Sequence, residues 1–181
     1  DGPTRSAETV GYRVDAIGVS CYSSSDLLNW RNRGIVLPVS DNPDHDLHPS
    51  KVVERPKVIY CQKTGRYVMW LHIDKRDYRQ AAVGVAVSDS PVGPFRYLQT
   101  LRPLGLDSRD QTVFVDEHQI AWHIASTNWN KTTLISRLAD DYQSFTGESL
   151  RVFSDRRMEA HALIRDQGRY WFVASGCTGW D

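Results

Sequence analysis

A hairpin pattern that returns about every 50 residues constrains this chain more than any other feature, because repeats of that length mark architectures whose units bury one another. Val58-Ile59-Tyr60, a turn at Thr64-Gly65, and Arg66-Tyr67-Val68-Met69-Trp70-Leu71-His72 read as strand, turn, strand. The pattern recurs in Val113-Phe114-Val115, Asp116-Glu117-His118 and Gln119 to Ala125. It recurs again in Ala162-Leu163-Ile164, Asp166-Gln167-Gly168 and Arg169 to Ser175. Each copy is rich in aromatic and β-branched residues around a turn carrying Gly or acids. A third strand follows the first copy at Ala82–Val87 and the second at Thr133–Leu138, and Ile17–Ser24 has the same character. No segment keeps the apolar i, i+3, i+4, i+7 spacing of a helix for more than about two turns.

These features predict an all-β chain of three- or four-stranded blades, as in a β-propeller. A β-sandwich also has short, closely spaced strands, and only the long period separates the two. Trp70, Trp122 and Trp171 fall at matching places in the copies and are expected in the core. The Trp180-Asp181 pair lacks the shorter period of WD-type propellers. The chain's 181 residues are too few to close a propeller on this period.

Lys+Arg and Asp+Glu both number 22, giving zero formal charge. That argues against nucleic acid or an anionic membrane as partner, since both select basic surfaces. No apolar run approaches the roughly 18 residues of a membrane span, so membrane insertion is not expected. Cys21, Cys61 and Cys177 lack zinc-type spacing and, being odd in number, leave at least one thiol free. The chain opens on Asp1 and ends on Asp181 inside an aromatic motif. Both ends therefore read as internal, and the missing signal peptide says nothing of location.

Chemistry enters with the acids. Glu54 precedes the strand at Val58, Asp110 the strand at Val113 and Glu159 the strand at Ala162, at separations of 56 and 49 residues. In a propeller the first strand of each blade lines the central axis, so the three carboxylates are expected in one pocket. Carboxylates gathered in a partly dry pocket repel one another, which raises at least one pKa. Glycoside hydrolysis needs such a protonated acid beside a second group that handles water or attacks the sugar. Taken singly, an acid at a strand start is more simply a solvated turn residue. Tyr78, Trp129 and Trp180 lie near strand ends, where flat rings could pack on a hexose. Asn130-Lys131-Thr132 is a formal glycosylation sequon.

The segments Glu54-Arg55-Pro56-Lys57-Val58-Ile59-Tyr60, Val68-Met69-Trp70-Leu71-His72-Ile73-Asp74, Ser108-Arg109-Asp110 and Ser175-Gly176-Cys177-Thr178-Gly179-Trp180 together resemble glycoside hydrolase family 43. With Cys21–Trp30 they are similar to its exo-β-1,3-galactanase branch, over essentially the whole chain. The resemblance implies a five-bladed β-propeller, only partly covered here. The end of blade 1 would fall at 1–50, blade 2 at 51–107, blade 3 at 108–155 and the start of blade 4 at 156–181. It also implies an inverting, exo-acting hydrolase that releases galactose from β-1,3-galactan, the backbone of arabinogalactan.

On that resemblance Glu159 matches the general acid, Asp110 the acid that orients it and tunes its pKa, and Glu54 a sugar-binding carboxylate. Tyr78, Asn130, Thr178 and Trp180 match sugar contacts. No cofactor is required, although a structural calcium ion in the axis is compatible with the fold. The location implied for the full-length protein is secreted or periplasmic. Where the family usually reads Arg-Glu-Ala-Pro around the acid, this chain reads Met158-Glu159-Ala160-His161, and His161 is expected to be a strand residue rather than a second titrating group. The family's opening strands should precede Asp1, and its water-handling amide should follow Asp181. An arabinofuranosidase or xylosidase activity, and a non-catalytic sugar-binding propeller, remain open alternatives on the sequence.

Overall fold

The structure, a computed structural model, describes residues 16–177. Twelve strands form four antiparallel sheets in chain order. The first pairs β1 (Gly18–Ser23) with β2 (Arg31–Pro38). The second runs β3 (Val52–Cys61), β4 (Arg66–Asp74), β5 (Ala82–Ser88), β6 (Arg96–Leu101). The third runs β7 (Arg109–Val115), β8 (Ala121–Thr127), β9 (Thr132–Leu138), β10 (Phe145–Val152), and the last pairs β11 (Met158–Asp166) with β12 (Arg169–Gly176). Each sheet is an up-and-down meander, the form expected of propeller blades.

β4 explains why the sheets stack. Residues alternate faces along a strand, and here both faces are apolar and buried. Val68 and Trp70 join Cys61, Val83, Val85, Val87, Ala121, Leu138 and Tyr142 in a core between the second and third sheets. Met69, Leu71 and Ile73 join Val36, Leu37, Leu47, Ala86 and Phe95 in a core against the first sheet. A strand sandwiched between two neighbouring sheets cannot alternate apolar with polar, and each large side chain it buries contributes about 1.5–3 kcal/mol. The Trp70 indole N–H is satisfied by the Tyr142 carbonyl at 3.0 Å. Gly84 in β5 is a packing requirement, since a Cβ there would lie 2.7 Å from the Tyr97 hydroxyl and 2.8 Å from Ile73 Cγ1.

The structure departs from the sequence reading at several points. β6 and β10 are fourth strands that the sequence did not mark, because their residues are half-exposed or exposed and lack the apolar run of inner strands. β3, β7 and β11 begin earlier than the apolar segments suggested, so the acids lie within strands rather than before them. The three tryptophans are not equivalent. Counting from the acids, the cross-strand partners are Lys57 with Trp70, Val113 with His123 and Ala162 with Val173. Trp70 is fully buried, whereas Trp122 is partly exposed and donates to Asp116 Oδ2 at 3.0 Å. Trp171 is 53% exposed, because among the described residues the last, two-stranded sheet is covered by the third sheet alone.

Candidate active site

The first strands of three successive sheets, β3, β7 and β11, lie side by side, and each carries an irregularity at the same place. The ladder slips between Glu54 and Lys57, between Arg109 and Thr112, and between Glu159 and Ala162. The extra residue in each bulge is left-handed: Arg55 at φ 52°, Asp110 at φ 48° and Ala160 at φ 53°. Such bulges bend a strand and re-aim its side chains. Pro56, which has no N–H to give to a ladder, fits within the first interruption.

This register corrects the simple reading of three equivalent acids. Glu54 and Glu159 each precede the left-handed residue of their bulge, whereas Asp110 is that residue. Arg109 therefore occupies in β7 the place that the glutamates hold in β3 and β11. The offset lets Asp110 meet Arg55, its counterpart in the preceding sheet, with Arg55 Nε 3.0 Å from Asp110 Oδ1. Gln111, buried beneath them, donates from Nε2 to the carbonyls of Arg55 at 2.8 Å and Trp70 at 3.1 Å. It thereby ties the first bulge to the second.

The three bulges open on one cavity of about 940 Å³ lined by Glu54, Arg55, His72, Tyr78, Arg109, Asp110, Trp129, Asn130 and Glu159. All three expected acids, with Tyr78, Trp129 and Asn130, thus share one space of the size that holds a small ligand. Thr178 and Trp180 lie outside the described residues. A second cavity, of about 210 Å³, sits between the first sheet and β3 and touches none of the acids. Among the described residues, no group of three or more His, Cys, Asp or Glu side chains is arranged to hold a metal ion.

Each wall of the cavity is held by identifiable bonds. The Tyr78 hydroxyl donates to Glu54 Oε1 at 3.0 Å. Asp107 accepts from Thr127 Oγ1 at 2.7 Å, from the Asn128 amide at 2.8 Å and from the Trp129 amide at 3.1 Å, and pairs with Arg109. Asn128, Trp129 and Asn130 are all left-handed, with φ of 52°, 53° and 62°, a run that costs on the order of 1 kcal/mol per residue. Asp107 is the group that holds them there. Its burial opposes ionisation, but the bonds from Thr127, Asn128 and Trp129, with Arg109, outweigh that and keep the carboxyl below its ordinary value.

Arg109 completes this wall. It donates from Nη2 to the Tyr78 carbonyl at 3.0 Å and lies 4.4 Å from the centre of the Trp129 ring. The turn then fixes Glu159 indirectly, since the Asn130 carbonyl accepts from the amide of Met158 at 3.1 Å. Asn130 Nδ2 donates to Cys177 Sγ at 3.7 Å, and its buried Oδ1 has no hydrogen-bond partner among the described residues. Burial raises the Cys177 thiol above its ordinary pKa; the bond from Asn130 opposes this and neighbouring Glu159 adds to it. All three cysteines are free.

His161 is a buried strand residue. Its Nε2 lies 3.1 Å from Thr133 Oγ1 and its Nδ1 3.4 Å from the Asp110 carbonyl. Burial lowers its pKa, against the opposing pull of Asp110. The sequence reading gave no role to Arg55, His72, Asp107 or Arg109. His72 alone carried a readable signal, since strand alternation places it on the Trp70 face, directly across from Glu54.

Residues 9–181 match the model of the family described as Glycosyl hydrolases family 43. No curated protein matches the chain. Among solved structures, a GH43 β-1,3-galactosidase superposes with a TM-score of 0.88 at 39% identity, covering 92% of this chain and 36% of that one. An exo-β-1,3-galactanase from Phanerochaete chrysosporium, solved with β-1,3-galactotriose, gives 0.86 at 36% identity over 95% of this chain and 40% of its own. An exo-β-1,3-galactanase from Clostridium thermocellum gives 0.85 at 39% identity over 93% of this chain and 39% of its own. The chain therefore spans well under half the length of these three structures.

Proposed function

The chain belongs to glycosyl hydrolase family 43, and from that premise we propose that it forms the acid-bearing part of an exo-acting, inverting β-1,3-galactanase. The observation that carries this reading is the gathering of Glu54, Asp110 and Glu159 on one cavity in a chain 36–39% identical to enzymes described as acting on β-1,3-linked galactose.

In the proposed reaction Glu159 gives its proton to the glycosidic oxygen as the bond from that oxygen to the anomeric carbon breaks. A water attacks the same carbon from the opposite face and loses its proton to a general base. Asp110, held by Arg55, orients Glu159. Glu54 and Tyr78, already bonded to each other, accept and donate to sugar hydroxyls, and the unpartnered Asn130 Oδ1 accepts another. Thr178 and Trp180 add further sugar contacts. Proton transfer between carboxyls, water and sugar calls for no cofactor. The substrate is the β-1,3-galactan backbone of arabinogalactan, a polymer met outside the cytoplasm, so the full-length protein acts in a secreted or periplasmic setting.

The test is hydrolysis of β-1,3-galactobiose and galactotriose by the full-length protein, set against aryl arabinofuranosides and xylosides. We expect galactose release from the galactosides, with α-galactose as the first anomer seen by NMR. Glu159→Gln should lower kcat by about 10²–10⁴, the scale of a lost general acid, while leaving binding of the disaccharide intact. Preference for the arabinosides or xylosides, or turnover unaffected by the substitution, overturns the assignment.

A further inference from the structure

His72 lies on the cavity wall but is 2% exposed, and both of its ring nitrogens face carboxylates. Nε2 is 3.1 Å from Asp74 Oδ2, and Nδ1 is 3.5 Å from Glu54 Oε2 with no closer hydrogen-bond partner among the described residues. Asp74 is fully buried, and its other oxygen accepts the amides of Lys75 at 2.8 Å and Gln80 at 2.9 Å. Those two amides bracket the loop that carries Tyr78, whose hydroxyl returns to Glu54 Oε1. The side chains of Glu54, His72, Asp74 and Tyr78 form a ring closed through the backbone of that loop. Asp74 holds the loop and His72, and Tyr78 and His72 flank the two oxygens of Glu54.

We propose that His72 is a positioning residue that sets Glu54 for sugar binding, donating from Nδ1 to Glu54 and from Nε2 to Asp74. The inference rests on the reading of Glu54 as a sugar-binding carboxylate. A carboxylate oxygen only accepts, and an imidazole can donate on both sides only with a proton on each nitrogen. In this role His72 is therefore an imidazolium between Asp74 and Glu54, with Tyr78 the further titratable group beside it at 6.2 Å between rings. A bare Nδ1 would instead set lone pair against lone pair beside the group that must bind the sugar. An unpartnered nitrogen in a buried ring is costly, and Glu54 Oε2, 3.5 Å from Nδ1, is an acceptor that faces the cavity.

The experiment has two readouts on the full-length protein. Nitrogen NMR of the ¹⁵N-labelled His72 ring reports whether one or both nitrogens carry protons, independently of any activity. We expect both to be protonated with β-1,3-galactobiose bound; a bare Nδ1 overturns the proposal, even if His72→Gln fails to fold. Titration of the disaccharide into His72→Gln should show affinity lowered about 10-fold, the scale of one charge-assisted hydrogen bond, with kcat much less affected than KM. In a Glu54→Gln background the same substitution should cost nothing further, because His72 acts through Glu54. Additive losses would mark a merely structural role and overturn it. If the wild-type protein binds no galactobiose, the functional reading fails separately, and the ring still reports its protons in the free protein.

Discussion

Arg55 and Asp110 occupy the same left-handed bulge position in neighbouring sheets, and their side chains pair at 3.0 Å across the cavity wall. The pair links two sheets through residues 55 positions apart. It also commits one oxygen of Asp110 on the cavity that it shares with Glu159.

The pair is partly exposed on the arginine side, so it should matter more for catalysis than for folding. Arg55→Ala is expected to lower stability by no more than about 1 kcal/mol. On the proposed mechanism it should lower kcat/KM by about 10- to 100-fold, the cost of a small misplacement of Asp110. Denaturant unfolding and galactobiose kinetics measured on the same preparation separate the two effects. A large loss of stability with unchanged kinetics would place Arg55 in the fold alone.

Asp107 should be the reverse case. Asp107→Ala removes three hydrogen bonds and leaves buried Arg109 without its carboxylate, a change that costs about 3–5 kcal/mol. Because its pKa is lowered on folding, the stability it contributes is complete above the ordinary value of 3.8 and is lost as pH falls below that through the folded value. Thermal melts from pH 6 down to pH 2 should show a fall in this acid range that is smaller in the variant, where the other depressed carboxyls such as Asp116 still contribute.

His123 is packed between Trp70 and Phe145, each 5.3 Å away, with neither ring nitrogen bonded among the described residues. Burial, with a smaller push from His161, lowers its pKa from 6.5 to about 3. The neutral ring is therefore compatible with folding above pH 6.5, and stability drains away as pH falls from there toward 3, because the unfolded chain takes up the proton first. His123→Phe keeps an aromatic ring in place and should gain about 2 kcal/mol over the native protein at pH 5 relative to pH 8. Equal unfolding midpoints for the two proteins at both pH values would contradict the assignment.

The hairpin copies, the absence of α-helix among the described residues and the acids near the strand starts were legible in the sequence because strand propensity, face alternation and turn chemistry are local. Val68 to His72 reads as a strand whatever surrounds it, and the spacing of Glu54, Asp110 and Glu159 already pointed to one pocket. The tertiary structure decided what no local pattern encodes. Each inner strand carries one extra, left-handed residue; Asp110 is itself that residue whereas the two glutamates precede it, and this place turns it toward Arg55. Trp70 is core because the third sheet covers its face of β4, while Trp171, on a similar strand, is exposed. Asp107 and Arg109 look like ordinary polar residues until segments about 20 to 30 positions apart come together, since pairing across sheets depends on register and packing rather than on any one segment.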